Sequence, residues 1–300
     1  MANFELSEIP LLSRSTLDRA EHLRSDSQAL TQGWSDAALL RVTRGGQVRV
    51  VDKQLVLDEA LDLGTEPPAD AVFLGVDNGR HVWAVYTKEL VGELADLRMV
   101  GAVLDDTSAG MLTTAVALLN WHNKARFSSI DGSPTKPANA GWSRVSESSG
   151  HEEFPRSDPA VICLVHDGAD RVLLARQTVW PSTMFSILAG FVEAGESLET
   201  CVVREIREEV GLDVTDVRYL GSQPWPFPRS LMIGFAAIGD PDQALAFSDG
   251  EIAEAHWFTR AEVREALAAG DWTSSAGVRL LLPGSISIAR GIVTAWAASD

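Results

Sequence analysis

The stretch Gly190–Leu212 constrains the fold more than any other part of the sequence, because it predicts a helix with two different faces. Each residue of a helix turns the chain by about 100°, so residues three or four positions apart share one face. Glu205, Glu208 and Glu209 are therefore neighbours on an acidic face. The opposite face is apolar and can pack into a core; it carries Val202, Val203, Ile206 and Val210.

The acidic face has two interpretations. Neighbouring carboxylates repel one another by roughly a few tenths of a kcal/mol per pair, and a hard divalent cation removes that repulsion. Mg²⁺ prefers oxygen ligands and keeps several waters, so a few carboxylates together with substrate phosphates suit it. The alternative is an ordinary acidic face in contact with solvent, and the letters REIREE alone leave both interpretations open.

The spacing across the whole stretch favours the metal site. Nine residues fit the pattern G-x5-E-x7-R-E-U-x-E-E-x-G-U, in which U is a bulky aliphatic residue. These residues are Gly190, Glu196, Arg204, Glu205, Ile206, Glu208, Glu209, Gly211 and Leu212. The pattern is the Nudix box, and the chain resembles the Nudix hydrolases, which cleave a nucleoside diphosphate linked to another group.

The charge balance of the 300-residue chain argues against one class of function. With 42 acidic and 25 basic side chains the net charge is −17, which does not suit general nucleic-acid binding through Lys and Arg. The acidity is compatible with a metal-dependent enzyme, although an acidic surface also serves solubility. The length suggests two domains, and 45% apolar residues are ample for their cores.

The sequence carries no recognisable targeting or membrane-spanning segment. The first letters, MANFELSEIPLLSRS, lack a basic region followed by an apolar one, and no run of about 18 or more apolar residues occurs. We therefore expect a cytoplasmic protein without membrane contact. Cys163 and Cys201 lie in apolar surroundings, where we expect buried thiols rather than a disulfide framework.

Residues 1–122 are predicted to form a separate small α/β domain. The predicted elements are a hairpin in Leu39–Val51, strands Ala71–Val76 and His81–Tyr86, and helix Ala109–Lys124. Gly45-Gly46 and Asn78-Gly79 supply the turn signals. No catalytic cluster precedes residue 120, so a scaffold or a dimer surface is the expected role.

The segment 123–153 is rich in Ser, Gly and Pro, which is typical of a linker or a small loop-built module. Its letters GSPT and AGW, followed by GHEEFPR, resemble the flanks of a zinc ribbon found here in the NADH pyrophosphatases, a branch of the Nudix hydrolases. The ribbon of that branch holds zinc with two Cys-x2-Cys pairs. The matching positions here are Ser128, Asp131, Ser146 and Ser149, so every cysteine is replaced.

Structural zinc sites need thiolate or imidazole ligands, which hydroxyls and one carboxylate do not replace. We therefore predict that this module binds no zinc. It is held by packing and hydrogen bonds, or it is looser than in related proteins. His122 and His151 flank the segment, but two lone histidines are weak support for a replacement site.

Residues 154–300 are predicted to form the catalytic domain, an α/β/α sandwich around a mixed sheet. The predicted strands are Pro159–His166, Arg171–Arg176, Phe185–Ala189, Arg218–Gln223, Leu231–Ile238 and Glu254–Phe258. The predicted helices, besides the acidic one, are Arg260–Ala268 with Thr259 as its N-cap and Ser285–Trp296.

A second signature, SQPWPFPRS, occupies Ser222–Ser230. Its three prolines stiffen the backbone, and Trp225 and Phe227 could shape a pocket for a flat ring, or they could pack a surface turn. The motif resembles the hallmark of the NADH pyrophosphatases. That resemblance implies a dinucleotide pocket lined by Gln223, Pro224, Trp225, Pro226, Phe227, Pro228, Arg229 and Ser230. It also implies substrate contacts at Phe191, which stacks on nicotinamide, at Phe154 and at Ala289.

The resemblance further implies the metal ligands and the helper residues. Expected ligands are Glu205, Glu208, Glu209, the carbonyl of Ala189 and a distal carboxylate, Glu251 or, failing that, Glu254. Arg204 is expected to orient a carboxylate through paired hydrogen bonds, and Glu196 to support the turn before the helix. The general base is left open, with Glu209 preferred.

The implied reaction is hydrolysis of NADH or NAD⁺ to NMN(H) and AMP with Mg²⁺ or Mn²⁺, and removal of an NAD cap from RNA. Two alternatives stay open. One is a non-catalytic NAD(H)-sensing module, and the other is hydrolysis of another nucleoside diphosphate such as ADP-ribose. The resemblance also implies a homodimer.

Overall fold

The computed structural model describes residues 4–247, 250–274 and 278–299. The outer ends of the predicted first and last domains, residues 1–3 and 300, lie outside the described residues, as do residues 248–249 just before Glu251. Among the described residues, none of the helices combines the length and apolar character needed to cross a bilayer.

The chain forms two compact units. The N-terminal unit comprises Arg14–Ser157 together with Trp225–Arg229. The C-terminal unit comprises the residues up to Ser13, Asp158–Pro224 and the residues from Ser230 onward. The predicted domain limits at residues 122 and 153 stay predictions.

The N-terminal unit contains three α-helices and three small sheets. Its helices are α1 (Ser27–Trp34), α2 (Leu97–Val100) and α3 (Asp106–Lys124). Its strands are β1 (Ala38–Thr43), β2 (Gln47–Val51), β3 (Gln54–Leu55), β4 (Asp58–Glu59), β5 (Val72–Asp77), β6 (Arg80–Thr87), β7 (Leu94–Asp96), β8 (Thr135–Ala138), β9 (Ser143–Ser146) and β10 (Glu152–Glu153). The sheet orders are β4-β1-β6-β5, β3-β2-β7 and β10-β9-β8.

The predicted hairpin in Leu39–Val51 is wrong in its pairing. Both strands and the turn at Gly46 exist, but β1 pairs in parallel with β6 and antiparallel with β4, whereas β2 pairs with β3 and β7. Nearly every residue of β1 is buried, while β2 alternates between buried and exposed positions. Because β1 is buried on both faces, it takes an inner position in its sheet, between β4 and β6. The half-exposed β2 is part of a different sheet.

The other predicted elements of this unit are confirmed. Asp77 lies opposite Arg80, and the two residues between them, Asn78 and Gly79, have φ values of 49° and 82°. Positive φ at both positions is typical of a type I′ hairpin turn. Helix α3 begins three residues before the predicted start, because the Asp105 side chain caps it by accepting a hydrogen bond from the Ser108 N–H.

In its described residues, the C-terminal unit contains a mixed sheet and three α-helices. Its strands are β11 (Asp158–His166), β12 (Arg171–Gln177), β13 (Leu188–Phe191), β14 (Val214–Trp225), β15 (Ser230–Gly239) and β16 (Ile252–Thr259). Its helices are α4 (Leu198–Val210), α5 (Arg260–Ala269) and α6 (Ile288–Ala298). The sheet order is β14-β15-β11-β12-β16, with β13 also paired to β11; β11 and β15 are parallel, whereas β12 is antiparallel to both β11 and β16.

Both faces of this sheet are covered, as the predicted sandwich requires. Val161, Cys163 and Val165 of β11 lie in the core cluster that contains the apolar residues of α4. Ile162 and Leu164 lie in the cluster formed with α5 and α6. Alternate residues of one strand therefore serve two cores, as the two-residue period of a strand dictates. Cys163 and Cys201 are free buried thiols, as predicted.

Three boundaries differ from the prediction in ways that affect the site. The strand expected at Phe185–Ala189 lies at Leu188–Phe191, so Gly190 is inside β13. Strand β14 continues through Pro224, which an edge strand tolerates because its outer N–H groups need no partner. Helix α6 begins at Ile288 instead of Ser285, because the Ser287 side chain caps it.

Candidate active site

Helix α4 begins and ends at capping residues. The Ser197 side chain accepts a hydrogen bond from the Thr200 N–H, and Gly211 takes the left-handed conformation at φ 71°. These two residues set the helix limits locally. Its apolar side is buried through Val202, Ile206 and Val210. The burial of this side of α4 determines how the glutamates are oriented relative to the core.

The three glutamates of α4 differ strongly in exposure, which helical spacing did not predict. The side chain of Glu208 is 57% exposed and that of Glu205 is 16% exposed, whereas Glu209 as a residue is only 3% exposed. Spacing assigns residues to a shared face, but their depth depends on what packs around the helix. Glu209 is therefore a buried carboxylate in the last turn of α4.

Arg204 is the centre of the hydrogen bonds around these carboxylates. Its Nε and Nη2 donate to the two oxygens of Glu196 at 2.8 and 2.9 Å. Its Nη1 donates to Glu205 at 3.0 Å and to Glu208 at 2.9 Å. Its Nη2 also donates to the carbonyl oxygen of Phe191 at 2.9 Å. The guanidinium thus connects α4 with the preceding loop and with β13.

Charge and burial set the protonation of this cluster. Hydrogen bonds from Arg204 lower the pKa of Glu196 to about 2, and the same contact raises the pKa of Arg204. Burial raises the pKa of Glu205, although Arg204 acts in the opposite direction. Burial also raises the pKa of the Cys201 thiol to about 12. At neutral pH the Arg204–Glu196 pair is therefore ionised and Cys201 is not a thiolate nucleophile.

Gly190 lies directly against the carboxylate of Glu205. A Cβ atom at position 190 would lie 1.9 Å from Cδ of Glu205 and 2.1 and 2.2 Å from its two oxygens, a distance that real Cβ atoms do not reach. The φ of Gly190 is not positive, so this glycine is required by the close approach of a side chain and not by backbone strain.

The donor atoms of the cluster suit a hard divalent cation, which prefers carboxylate and carbonyl oxygens. Within residues 4–247, 250–274 and 278–299, no group of three or more His, Cys, Asp or Glu side chains converges as a metal-binding group. Arg204 holds Glu205 and Glu208 by hydrogen bonds here. The ligand roles of Glu205, Glu208 and Glu209 stay predictions.

The two neighbours of Gly190 in β13 are both exposed. Ala189 lies opposite Ile162 of β11, and its carbonyl is the predicted backbone ligand. Phe191 is 58% exposed, and its own carbonyl is held by Arg204. An exposed ring on a fixed backbone is suited to stacking on a flat substrate ring.

The two candidates for the distal carboxylate differ in their contacts. Glu254 on β16 accepts a hydrogen bond from Arg176 Nε at 2.6 Å, and its other oxygen lies 3.1 Å from His256 Nε2. Glu251 is exposed just before β16, and its carbonyl accepts a hydrogen bond from the Thr178 N–H at 3.0 Å. The Arg176–Glu254 pair was not predicted, because residues on separate strands carry no local signal of their pairing.

Gln223 has a role that the sequence did not predict. Its side chain is fully buried, where Oε1 accepts from the Leu12 N–H at 3.4 Å and Nε2 donates to the Ile286 carbonyl at 2.9 Å. Gln223 thereby holds the first segment of the chain and the turn before α6 in place. Its predicted position in the dinucleotide pocket stays a prediction.

The segment Trp225–Arg229 belongs to the N-terminal unit. The rings of Trp225 and Phe227 meet edge to face at 4.9 Å, and the Arg98 guanidinium lies 4.2 Å above the Phe227 ring. Pro226 is buried, whereas Pro228 and Arg229 are exposed. The contact with Arg98 was not predicted, and it fixes one face of Phe227.

The remaining predicted substrate residues belong to several different elements. Phe154 is 58% exposed in the N-terminal unit, where it lines a cavity of about 480 Å³ with Trp142 and Arg24. Ala289 is buried in the first turn of α6. Pro224 lies in β14 of the C-terminal unit, and Ser230 begins β15 there. The predicted site residues therefore fall in both units.

The four positions that match ribbon cysteines lie in a hydrogen-bonded module around β8, β9 and β10. Ser146 Oγ donates to Asp131 Oδ2 at 2.9 Å, and the Ser133 N–H donates to Asp131 Oδ1 at 2.9 Å. Ser146 Oγ accepts from the Ser149 N–H at 3.2 Å, and Ser128 Oγ from the Ile130 N–H at 3.2 Å. Donation by Ser133 and other serines holds the pKa of Asp131 well below its usual range. Hydrogen bonds thus hold the module together.

Two domain profiles match the chain. The NUDIX domain profile matches residues 156–278, and the profile of the NADH pyrophosphatase-like rudimentary NUDIX domain matches residues 23–121. The chain is 62% identical over 306 residues to an NAD-capped RNA hydrolase, NudC, of Mycobacterium bovis, with 99% of this chain and 98% of that relative covered. The chain belongs to the Nudix hydrolase family.

This Nudix hydrolase has more distant relatives as well. It is 38% identical over 258 residues to the human mitochondrial NAD(P)H pyrophosphatase NUDT13, with 82% of this chain and 73% of that relative covered. A solved NUDIX hydrolase from Nitrosomonas europaea superposes with a TM-score of 0.39 at 20% identity, covering 45% of this chain and 77% of that chain. The resemblance to the NADH pyrophosphatases and the predicted α/β fold are confirmed. Nudix hydrolases generally use divalent metal ions.

Proposed function

We propose that this Nudix hydrolase cleaves the pyrophosphate of NADH and NAD⁺ to NMN(H) and AMP, and removes the NAD cap from RNA 5′ ends by the same reaction. The observation that carries the proposal is the 62% identity over nearly the whole chain to an NAD-capped RNA hydrolase. Every residue of the Nudix box is present. The name of the human relative, an NAD(P)H pyrophosphatase, indicates the same bond.

The carboxylates of α4 are the groups that would hold a divalent ion, Mg²⁺ or Mn²⁺. Glu205, Glu208 and Glu209 supply carboxylate oxygens, Ala189 supplies a carbonyl, and Glu251 is the preferred distal ligand. Glu251 keeps its preference from the resemblance, and Glu254, which forms an ion pair with Arg176, is the second candidate. A bound divalent ion supplies positive charge to pyrophosphate oxygens and lowers the pKa of a coordinated water.

The protein groups around the carboxylates perform the positioning. Arg204 is tied to Glu196 by two hydrogen bonds, so its third contact holds Glu205 at a set place against Gly190. Water attacks one phosphorus and the bond to the bridging oxygen breaks, so the attacking water loses a proton to a base. Glu209 is our preferred base. Its place on α4 supports this choice, because helical spacing puts it beside Glu205 and Glu208, the carboxylates proposed to hold the metal ion.

Product analysis tests the proposed reaction. The purified protein is incubated with NADH, NAD⁺, ADP-ribose or NAD-capped RNA, each with Mg²⁺ and with Mn²⁺. We expect NMNH and AMP from NADH, and NMN with 5′-monophosphate RNA from the capped RNA. Cleavage of ADP-ribose at least about 10-fold faster than NADH would favour the other Nudix substrate class. Tight NADH binding without turnover under both metals would favour an NAD(H) sensor.

We also propose that the ribbon module binds no zinc, because an Asp131-centred hydrogen-bond network occupies the place of the thiolates. Elemental analysis of the purified protein should find less than about 0.1 zinc per chain. A variant that combines Ser128→Cys, Asp131→Cys, Ser146→Cys and Ser149→Cys should gain about one zinc, because the cysteine spacing is restored. One zinc per parent chain would contradict the proposal.

The homodimer and the cytoplasmic location stay predictions. Light scattering on the purified protein measures the first, and a mass of one chain at working concentration would contradict it.

A further inference from the structure

The N-terminal unit contains a cavity of about 470 Å³ that the proposed reaction does not use. It lies where the end of β1, the strand β6, the last turn of α3 and the ribbon sheet come together. Arg44, Arg126 and Arg144 all line it. This is a local excess of positive charge on a chain whose net charge is −17. Among the described residues that line the cavity, Asp70 is the one acidic residue.

Arg144 is the innermost of the three arginines and is buried at 8% exposure. Its Nε donates to Thr135 Oγ1 at 2.7 Å, its Nη2 donates to the Thr135 carbonyl at 2.6 Å, and its Nη1 lies 3.0 Å from His122 Nδ1. These acceptors use three of the five N–H groups of a guanidinium. In the described ranges Arg144 forms no ion pair with a carboxylate, so a buried positive charge is left without a negative one.

His122 does not balance the charge of Arg144, because its ring is a neutral hydrogen-bond acceptor towards the guanidinium. Its Nε2 lies 2.7 Å from the Gly141 carbonyl, so Nε2 carries the proton and Nδ1 accepts from Arg144. Burial lowers the pKa of His122, which keeps the ring neutral. Asp70 is an acidic residue that lines the cavity, and it is exposed. The three arginines outweigh its charge.

Arg44 and Arg126 lie at the exposed mouth of the cavity. Arg126 Nη2 donates to Asn123 Oδ1 at 3.0 Å, and neither arginine has a carboxylate within ion-pair distance among the residues that the structure describes. Guanidinium groups that are not neutralised by acidic neighbours bind phosphate through paired hydrogen bonds. The mouth and the floor of the cavity therefore both offer donors to one anion.

Phe127 supplies a second kind of contact beside these charges. It follows Arg126 directly, lines the same cavity and is 64% exposed. An exposed aromatic ring beside arginines is the combination that binds a base and its phosphate in nucleotide sites. The cavity volume falls within the range of small-molecule sites.

We infer that this cavity is a second, non-catalytic site that binds a nucleoside monophosphate, with the phosphate on Arg44, Arg126 and Arg144 and the base on Phe127. The same chemistry occurs in a free mononucleotide and in one residue of single-stranded RNA. The site is independent of pyrophosphate cleavage.

Calorimetric titration of the full-length protein in EDTA tests the inference with three probes: inorganic phosphate, AMP and a 5′-hydroxyl pentaadenylate RNA. We expect the double variant Arg44→Ala/Arg126→Ala to bind AMP about 10-fold or more weakly. Phe127→Ala should weaken AMP binding and leave phosphate binding within about two-fold. Lys53→Ala, which removes an exposed positive charge of the same unit away from the cavity, should bind all three probes like the parent.

The RNA probe identifies the source of the nucleotide. If the RNA binds about 10-fold more tightly than AMP and the double variant loses this binding, the site is assigned to an RNA chain. If the RNA binds as tightly as AMP or more weakly, the site is assigned to a free nucleotide. Equal AMP affinities in the double variant and in Lys53→Ala would overturn the inference. Phosphate binding as tight as AMP binding would overturn it too. The single variants Arg44→Ala and Arg126→Ala, both surface changes, repeat the test if the double variant unfolds.

Discussion

The Glu209→Gln variant should lose NADH cleavage, with kcat/KM lower by about 10³-fold or more. Glutamine keeps the shape of the side chain but removes its negative charge and its ability to take a proton. Glu209 is buried at 3% exposure in the last turn of α4, so solvent does not easily replace the lost carboxylate. The measurement is the initial rate of AMP release at saturating Mg²⁺ and, separately, Mn²⁺.

Glu199→Gln is the matched control for this variant. Glu199 lies in the first turn of the same helix, is exposed, and belongs to none of the predicted site residues. Its change removes the same charge from α4, and we expect NADH cleavage within about two-fold of the parent. A Glu209→Gln enzyme that cleaves NADH as fast as Glu199→Gln would show that Glu209 is neither an essential ligand nor the base.

The Gly190→Ala variant should lose about 100-fold in kcat/KM, although it adds a single methyl group. The added Cβ would lie 1.9 Å from Cδ of Glu205, so the carboxylate has to leave its place. Its hydrogen bond with Arg204 Nη1 at 3.0 Å would be lost or displaced with it. We expect the loss mainly in kcat, because a predicted ligand of the reacting centre moves while the predicted Trp225–Phe227 contacts of the substrate rings do not change.

Gly291→Ala serves as the control for the added methyl group. Gly291 lies inside α6 of the same unit, and a Cβ there would meet its nearest neighbour, Leu6 Cδ2, at an ordinary 3.9 Å. Alanine also favours a helix over glycine by about 0.5–1 kcal/mol, so thermal stability should rise slightly while the activity is retained. Gly190→Ala activity within about three-fold of this control would show that the position of Glu205 is not critical.

Elements with a strong local signal were predicted well. The Asn78-Gly79 turn, helix α3 and the N-cap at Thr259 are all present, because each depends on residues close together in the chain. The pairing of β1 was predicted wrongly for the opposite reason. Its partner strand β6 is about forty residues away, and the glycine turn after β1 gave a misleading local alternative.

The carboxylate cluster also has features that local sequence predicts and features that it does not predict. The Nudix box specifies which residues share a helix face, since the helical period acts over a few residues. The hydrogen bonds between Arg204 and Glu196 were not predicted. The box does not specify that Glu209 is buried while Glu208 is exposed, or that Gln223 bonds to Leu12 and Ile286. Those facts depend on which strands and loops pack against the helix.

By itself, the sequence determined the family and the acidic helix, because residue identity at short spacing carries that information. Only the tertiary structure decided the depth of each carboxylate, the requirement for glycine at position 190 and the gathering of three arginines around one cavity. The physical reason is that burial and close approach join residues far apart in the chain. Such contacts come from packing between elements, which no local pattern records.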